Sequence, residues 1–154
     1  MSRMFSLVLW ALLPALSISS LQADENAPNT IQWHSDVRVA TKMAKEQDKP
    51  LLIYVTSDDC FYCRKMERQT WPDAGVVRAV DSHFIALKLT PQHHAQVIRN
   101  LNVPAFPATL LLNSQLKHQQ SAVGLQSAQE MTRMLGALLP TQTQSAVRPV
   151  EYRP

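Results

Sequence analysis

The chain has few of the residues on which several common protein classes depend. Among 154 residues there are only two cysteines, Cys60 and Cys63, and no Lys/Arg block is longer than a pair. Two cysteines exclude a scaffold held by several disulfides, and they exclude a four-cysteine zinc or iron–sulfur site. The lack of a basic block, together with a net charge of only +3, argues against nucleic acid as the main partner.

Charged residues are also scarce, at 18% of the chain, whereas apolar residues make up 45%. This is too little charge for a disordered chain and enough apolar material for a core. The length suits a single domain of ordinary size, and we find no internal repeat. The composition therefore predicts one globular domain.

The N-terminal segment has the pattern of an export signal. Arg3 precedes an apolar run over Leu7–Leu13, and Ala23 stands just before an acidic pair. The run is shorter than the roughly 20 residues of a membrane-spanning helix. We therefore predict a cleaved signal peptide over residues 1–23. An uncleaved anchor is the alternative, because Leu21 lies where a small residue is preferred.

Export decides the redox environment of the two cysteines. The prediction places the protein in the periplasm, with no stable membrane insertion after cleavage, where thiols meet oxidising conditions. Residues 24–140 are predicted to form the folded domain. Residues 141–154 are polar, interrupted by proline and without periodicity, and are predicted to be a flexible tail.

Within the folded part, helical and strand patterns alternate. Helices are predicted over about 35–47, 61–70, 73–80, 91–100 and 127–138, and strands over 51–55, 84–89, 109–112 and 115–123. Ser35 is predicted to cap the first helix, and Ser127 with Glu130 forms a capping box before the last. The order predicts an α/β fold with a central mixed β-sheet flanked by helices.

The cysteines form a C-x-x-C motif at the start of a helix that follows a buried strand. Backbone N–H groups and the helix dipole at that position favour a thiolate on Cys60. Cys63, one turn later and better shielded, is close enough to attack a mixed disulfide formed by Cys60. Asp58 and Asp59 disfavour the thiolate by repulsion, whereas cationic residues such as Arg64 offset them.

A C-x-x-C motif can also form a structural disulfide, bind a metal or attach haem. A structural disulfide is a poor fit, because closing so short a loop gives only about 2 kcal/mol. A metal site, such as that of a copper chaperone, would need further ligands, and His93-His94 is the only histidine pair. Haem attachment is excluded, since Arg64 stands where C-x-x-C-H needs histidine.

The segment over 33–138 resembles the thioredoxin superfamily. The likeness includes the strand Leu51–Val55, the motif Cys60-Phe61-Tyr62-Cys63 and a proline, Pro107, directly before a core strand. Within the superfamily the chain looks most like the exported branch that includes the C-terminal domain of DsbD. The resemblance implies a thioredoxin fold and a cis peptide bond before Pro107.

The resemblance also implies an activity. It is that of a thiol–disulfide oxidoreductase without a cofactor or metal, in which Cys60 attacks protein disulfides and Cys63 resolves the intermediate. Phe61, Tyr62, Phe106 and Pro107 are expected to bind the substrate protein. The DsbD-like features favour a reductase supplied with electrons by a membrane protein. An oxidase would use the same residues, and a redox-inert binding module is the alternative.

The sequence departs from thioredoxin at two places. Phe61 and Tyr62 replace Gly-Pro between the cysteines, where we expect a partly exposed hydrophobic rim. The buried acid of thioredoxin, six positions before the first cysteine, is Tyr54 here, so proton transfer to the second cysteine must be handled differently. Trp33 and Trp71 are expected to be packing residues.

Overall fold

A computed structural model describes residues 30–139 of the chain. The predicted signal peptide, the segment over 24–29 and the predicted tail over 141–154 lie outside the described residues. The elements are β1 Trp33–His34, α1 Val37–Glu46, β2 Leu51–Val55, α2 Phe61–Gln69, α3 Ala74–His83, β3 Ile85–Leu89, α4 Pro91–Asn100, β4 Ala108–Leu112, β5 His118–Val123 and α5 Ala128–Gly136.

The five strands form one mixed sheet in the order β1-β3-β2-β4-β5. Strands β1 and β2 pair in parallel with β3, whereas β4 runs antiparallel to β2, and β5 antiparallel to β4. Every residue of β2 is buried, as its continuous apolar run predicts. The predicted α/β architecture with a mixed central sheet is confirmed.

Each face of the sheet is covered by a separate hydrophobic cluster. Alternate residues of β2 point to opposite faces, so Leu52 and Tyr54 pack in one cluster with residues of α2, α3 and α5. Leu51, Ile53 and Val55 pack in the other, which includes residues of α1 and α4. The helix that carries the cysteines therefore lies over the face that contains Tyr54.

The start of the chain's first helix differs from the prediction. Helix α1 is capped by Asp36 and not by Ser35, because the Asp36 carboxylate accepts hydrogen bonds from Arg38 N and Val39 N, at 2.8 and 3.1 Å. Trp33 lies before this helix, in the short strand β1. That strand was not predicted, because two residues carry no periodicity and only pairing with β3 defines it.

Strand β5 begins three residues later than predicted. The Asn113 side chain accepts hydrogen bonds from Gln115 N and Lys117 N, and Leu116 adopts a positive φ of 62°. These residues form a turn, so β5 starts at His118. The capping box of α5 is confirmed, although that helix ends at Gly136, and α3 continues to His83, three residues beyond its predicted end.

Candidate active site

The cysteine pair lies where the loop after β2 enters α2. Cys60 is the N-cap residue of that helix, and Cys63 belongs to its first turn. The two sulfur atoms form a disulfide, with an S–S distance of 2.09 Å and 5.2 Å between the Cα atoms. The structure therefore shows the oxidised form of the pair.

The Sγ atom of Cys60 occupies the position of a helix-capping acceptor. It accepts a hydrogen bond from Cys63 N over 3.1 Å. In the reduced protein the same N–H group would face a thiol or thiolate, and the positive end of the α2 dipole lies beside it. Both effects favour negative charge on Cys60.

The two sulfurs differ in accessibility. Cys60 is half-buried, whereas Cys63 is fully buried among core residues. An attacking group from solvent or from another protein can therefore approach Cys60 but not Cys63. This is the difference that the sequence pattern predicts for a first and a second cysteine.

Phe61 and Tyr62 are the most exposed large hydrophobic side chains of residues 30–139, at 61% and 57%. Both lie in the first turn of α2, between the cysteines. The buried face of α2 is provided by Cys63 and Met66 instead. The predicted hydrophobic rim beside Cys60 is therefore present.

Phe106 and Pro107 lie in the loop that leads into β4. The peptide bond between them is cis, as the resemblance implied. Ala108, the next residue and the first of β4, pairs with Val55, the last residue of β2. The loop before β4 and the cysteine loop after β2 therefore lie at the same end of these two strands. Pro107 is buried and its carbonyl accepts a hydrogen bond of 2.7 Å from Gly124 N, while Phe106 is half-buried.

The loop before Cys60 is held by side chains that the sequence pattern did not indicate. Arg64 donates a hydrogen bond to the carbonyl of Asp58, at 2.7 Å, and Gln92 of α4 reaches the Asp58 carboxylate at 3.3 Å. Asp58, Asp59 and Arg64 are all exposed. Exposed side chains of both charge signs therefore lie close to Cys60 in the sequence, in the loop before it and in α2.

Three aromatic side chains, from β1, β2 and the turn after α2, meet on the face of the sheet that α2 covers. Tyr54 lies with its ring centroid 5.7 Å from that of Trp33 and 5.0 Å from that of Trp71, and the two tryptophans are also 5.0 Å apart. Beside them is a cavity of about 290 Å³, which the ion pair between Glu67 and Lys88 also lines. Trp71 is a packing residue, as expected, and Trp33 is half-buried against the same cluster.

Tyr54 is fully buried, and its hydroxyl donates a hydrogen bond of 3.3 Å to the carbonyl of Cys63. Burial raises the pKa of Tyr54 to about 12. The hydroxyl therefore stays protonated at neutral pH. Sequence reasoning singled out this residue only as a departure from thioredoxin, because its contact with Cys63 depends on how α2 packs on the sheet.

The histidine pair is not part of a metal cluster. His94 accepts a hydrogen bond from Thr90 N at its Nδ1 atom, at 3.2 Å, and its Nε2 atom lies 2.8 Å from the carbonyl of Ser35. His93 is exposed. Within residues 30–139 no group of three or more His, Cys, Asp or Glu side chains is placed to hold a metal ion.

Comparison with known proteins gives the family. Residues 37–139 match the family model of the thioredoxin-like domain, which covers more than half of the chain. The chain belongs to the thioredoxin-like domain family. A curated relative of this thioredoxin-like domain is the thioredoxin-related protein DsbJ of Chlamydia pneumoniae, 28% identical over 96 residues.

That alignment covers 61% of this chain and 28% of DsbJ. A second curated relative, an uncharacterised protein of Caenorhabditis elegans, is 25% identical over 73 residues, which are 47% of this chain and 10% of that protein. The chain thus spans much less than the full length of the curated proteins it matches.

Solved structures share the fold. The DsbH oxidoreductase superposes with a TM-score of 0.65 at 20% identity, over 76% of this chain and 90% of that chain. The reduced C-terminal domain of Neisseria meningitidis DsbD gives 0.56 at 21% identity, over 69% and 98%. The thioredoxin-like domain described here therefore has the fold that the resemblance implied.

No helix within residues 30–139 is long and apolar enough to cross a membrane.

Proposed function

We propose that this chain is a thiol–disulfide oxidoreductase that acts on disulfides of other proteins. The observation that carries the proposal is the unequal placement of the two sulfurs. The Cys60 sulfur is accessible and accepts a hydrogen bond of 3.1 Å from the Cys63 N–H, whereas Cys63 is buried one turn later in the helix. The family membership and the Dsb-type relatives support the same activity.

The reaction follows from that placement. The Cys60 thiolate attacks one sulfur of a substrate disulfide, forms a mixed disulfide, and releases the other substrate sulfur as a thiolate that takes up a proton. Cys63 loses its proton and attacks the Cys60 sulfur, which breaks the mixed disulfide and releases the second substrate thiolate. Two electrons pass to the substrate, and the Cys60–Cys63 disulfide seen in the structure is the product.

Phe61 and Tyr62 are proposed to bind the substrate protein next to the attacking sulfur. Their exposed rings offer apolar area beside Cys60, where an unfolded or flexible segment of a partner can bury its own apolar side chains. Phe106 and Pro107 leave the same edge of the sheet and are proposed to contact the segment from the other side.

The direction of electron flow is proposed to be reductive and the location periplasmic. The predicted signal peptide over 1–23 and the likeness to the DsbD C-terminal domain support this. A reductase must be re-reduced by a second dithiol, and a membrane protein is the proposed donor. The N-terminal sequence of the protein recovered from the periplasmic fraction is expected to begin at Asp24; recovery with the membranes would indicate an uncleaved anchor.

The activity is tested by insulin reduction with the wild-type chain, Cys60→Ser and Cys63→Ser. We expect wild-type turnover, loss of activity in both variants, and a trapped mixed disulfide with Cys63→Ser alone. Trapping is unambiguous, because that variant has a single thiol. Turnover that survives Cys60→Ser would refute the mechanism.

The direction is tested by titrating the cysteine pair against glutathione. A reductase is expected to have a potential near the roughly −270 mV of thioredoxin, whereas a value near the roughly −120 mV of DsbA would indicate an oxidase. Stoichiometric copper bound to the reduced protein would instead favour a metal chaperone.

A further inference from the structure

The backbone of Cys63 is held at both ends by groups outside the main-chain hydrogen bonds of α2. Its N–H group donates to Cys60 Sγ, at 3.1 Å, and its carbonyl accepts from the Tyr54 hydroxyl, at 3.3 Å. A short chain of contacts therefore joins the middle strand of the sheet to the accessible sulfur. It runs from Tyr54 through the peptide groups of Cys63 to Cys60.

Tyr54 is well placed to fix the other end of this chain. It lies in β2, between Lys88 of β3 and Thr109 of β4 in the strand register. Its ring packs against Trp33 and Trp71, and no part of the side chain is accessible to solvent. The hydroxyl therefore has little freedom to move away from the Cys63 carbonyl.

The Tyr54 hydroxyl also faces the polar side chains of Thr56 and Trp71. Lys88 is bound to Glu67, with 2.7 Å between Nζ and Oε1. The Thr109 hydroxyl is buried and has no hydrogen-bond partner among residues 30–139. Within the part of the chain that the structure describes, the Tyr54 hydroxyl is the side-chain group that donates a hydrogen bond to the carbonyl of Cys63.

We propose that Tyr54 is a positioning residue for the redox pair: its hydrogen bond to the Cys63 carbonyl holds the first turn of α2 so that the Cys63 N–H faces the Cys60 sulfur in the dithiol form. This inference rests on the proposed oxidoreductase function. The neutral hydroxyl of Tyr54 stands where thioredoxin has a buried acid, and it acts on the cysteine pair through the backbone of Cys63.

The Tyr54 hydroxyl is expected to shift the dithiol–disulfide equilibrium toward the dithiol form. Reduction adds two electrons to the Cys60–Cys63 disulfide, with two protons where both thiols form and one proton where Cys60 stays a thiolate, and the Cys63 N–H then faces the Cys60 sulfur. Stabilising that thiolate stabilises the reduced form and makes the potential less negative. Without the Tyr54 hydroxyl, the N–H group is less firmly directed at Cys60, so the dithiol form is disfavoured.

The test compares Tyr54→Phe with wild type in a glutathione redox buffer, in which two glutathione molecules are oxidised for each protein disulfide reduced. We expect the equilibrium constant for dithiol formation to fall about fivefold, the loss of one modest hydrogen bond, which corresponds to a potential about 20 mV more negative. The midpoint of Cys60 alkylation against pH is expected to move to higher pH.

Thr109→Val is the matched control, because it removes a buried hydroxyl from the residue that pairs with Tyr54. Its potential and alkylation midpoint are expected to equal those of wild type. A merely structural role for Tyr54 would lower the free energy of unfolding of the disulfide and dithiol forms equally, which leaves the potential unchanged. An unchanged potential and alkylation profile in a folded Tyr54→Phe protein would overturn the proposal.

A second variant keeps the proposal testable if Tyr54→Phe does not fold. Site-specific 3-fluorotyrosine at position 54 keeps the packing and makes the hydroxyl a stronger donor. It is expected to shift the potential in the opposite direction, to less negative values, and no shift would contradict the inference. The two hypotheses fail in different experiments. Insulin reduction by Cys60→Ser would refute the proposed oxidoreductase mechanism, whereas an unchanged potential in the Tyr54 variants would refute only the positioning role of Tyr54.

Discussion

The rings of Phe61 and Tyr62 pack edge to face, with centroids 5.4 Å apart and ring planes at 77°. Each ring covers part of its neighbour, yet both remain more than half exposed beside Cys60. An aromatic pair that stays more than half exposed contributes little to folding. Its apolar area is available to a second protein.

The first prediction concerns this pair. Phe61→Ser and Tyr62→Ser are each expected to slow insulin reduction about tenfold, because a protein substrate would lose about 1.4 kcal/mol of apolar contact. Reduction of a small aromatic disulfide should change little, since it needs only access to Cys60. Steady-state rates with both substrates, and urea unfolding to exclude a loss of stability, provide the measurement.

Val39→Ser is the control for those variants. Val39 is also exposed, at 46%, but it lies on α1, away from the cysteine motif. Its substitution is expected to leave both rates unchanged. Equal slowing of protein and small-disulfide reduction by Phe61→Ser would contradict a substrate-binding role.

The second prediction concerns the contribution of the disulfide to stability. Cys60 and Cys63 are separated by three positions, so the bond closes a very short loop. We expect the free energy of unfolding to differ between the oxidised and reduced proteins by no more than about 2 kcal/mol. Urea denaturation with and without reductant measures the difference. Unfolding upon reduction would instead identify the disulfide as structural.

A third prediction tests the connection between the end of α2 and the segment before α5. The buried hydroxyl of Thr70 donates a hydrogen bond of 2.5 Å to the carbonyl of Gln126. Thr70→Val keeps the shape but leaves that carbonyl without this partner, so a loss of about 1–2 kcal/mol in unfolding free energy is expected. Thr109→Val, whose hydroxyl has no partner among residues 30–139, should cost less or nothing.

A fourth prediction concerns acid stability. Hydrogen bonds from backbone N–H groups at the starts of α1 and α5 lower the pKa values of Asp36 and Glu130. Because the folded-state values lie below the ordinary 3.8 and 4.5, these groups stabilise the fold above those values, and the contribution is lost as pH falls through the folded-state values. Unfolding free energy between about pH 6 and pH 3 should therefore fall less in Asp36→Asn and Glu130→Gln than in wild type.

Glu46→Gln provides the comparison for this experiment. The Glu46 carboxylate lies 3.7 Å from the Lys42 ammonium group on the surface of α1, and both side chains are largely exposed. It is expected to follow the wild-type pH dependence. A wild-type acid dependence retained in both capping variants would show that the caps do not cause it.

The fifth prediction concerns alkaline stability. The pKa of Tyr54 is raised from 10.0 to about 12 by burial, so between these values the unfolded chain loses the tyrosine proton and the folded protein keeps it. This part of the stability is complete below pH 10 and declines as pH rises toward 12. A decline of at most about 3 kcal/mol is expected in wild type and not in Tyr54→Phe.

Tyr62→Phe is the control for the alkaline experiment, since it removes an exposed hydroxyl from the same protein. It should show the wild-type decline in urea unfolding. The same decline in Tyr54→Phe would mean that another group is responsible.

The parts of the fold that sequence patterns predicted depend on local interactions. The continuous apolar run of β2, the proline at the start of α4 and the capping box of α5 each act within a few residues, so their signals are complete in a short stretch. The start of α2 at the cysteine motif belongs to the same group. These elements occur where they were predicted.

The errors have an equally physical origin. Ser35 and Asp36 are both good capping residues, and only the observed hydrogen bonds show which of the two side chains reaches the free N–H groups of α1. Strand β1 consists of two residues, and its pairing partner in β3 is about fifty positions away along the chain. No pattern within a short window contains that pairing.

The sequence by itself predicted the cysteine pair and its position at the start of a helix, which the structure shows, because capping and helix geometry depend on neighbours in the chain. Only the tertiary structure decided which side chains pack under the cysteine pair. Trp33, Tyr54 and Trp71 come from β1, β2 and the turn after α2. The Tyr54 hydroxyl reaches the Cys63 carbonyl only because α2 packs on that face of the sheet. Such contacts depend on long-range packing, which local sequence does not encode.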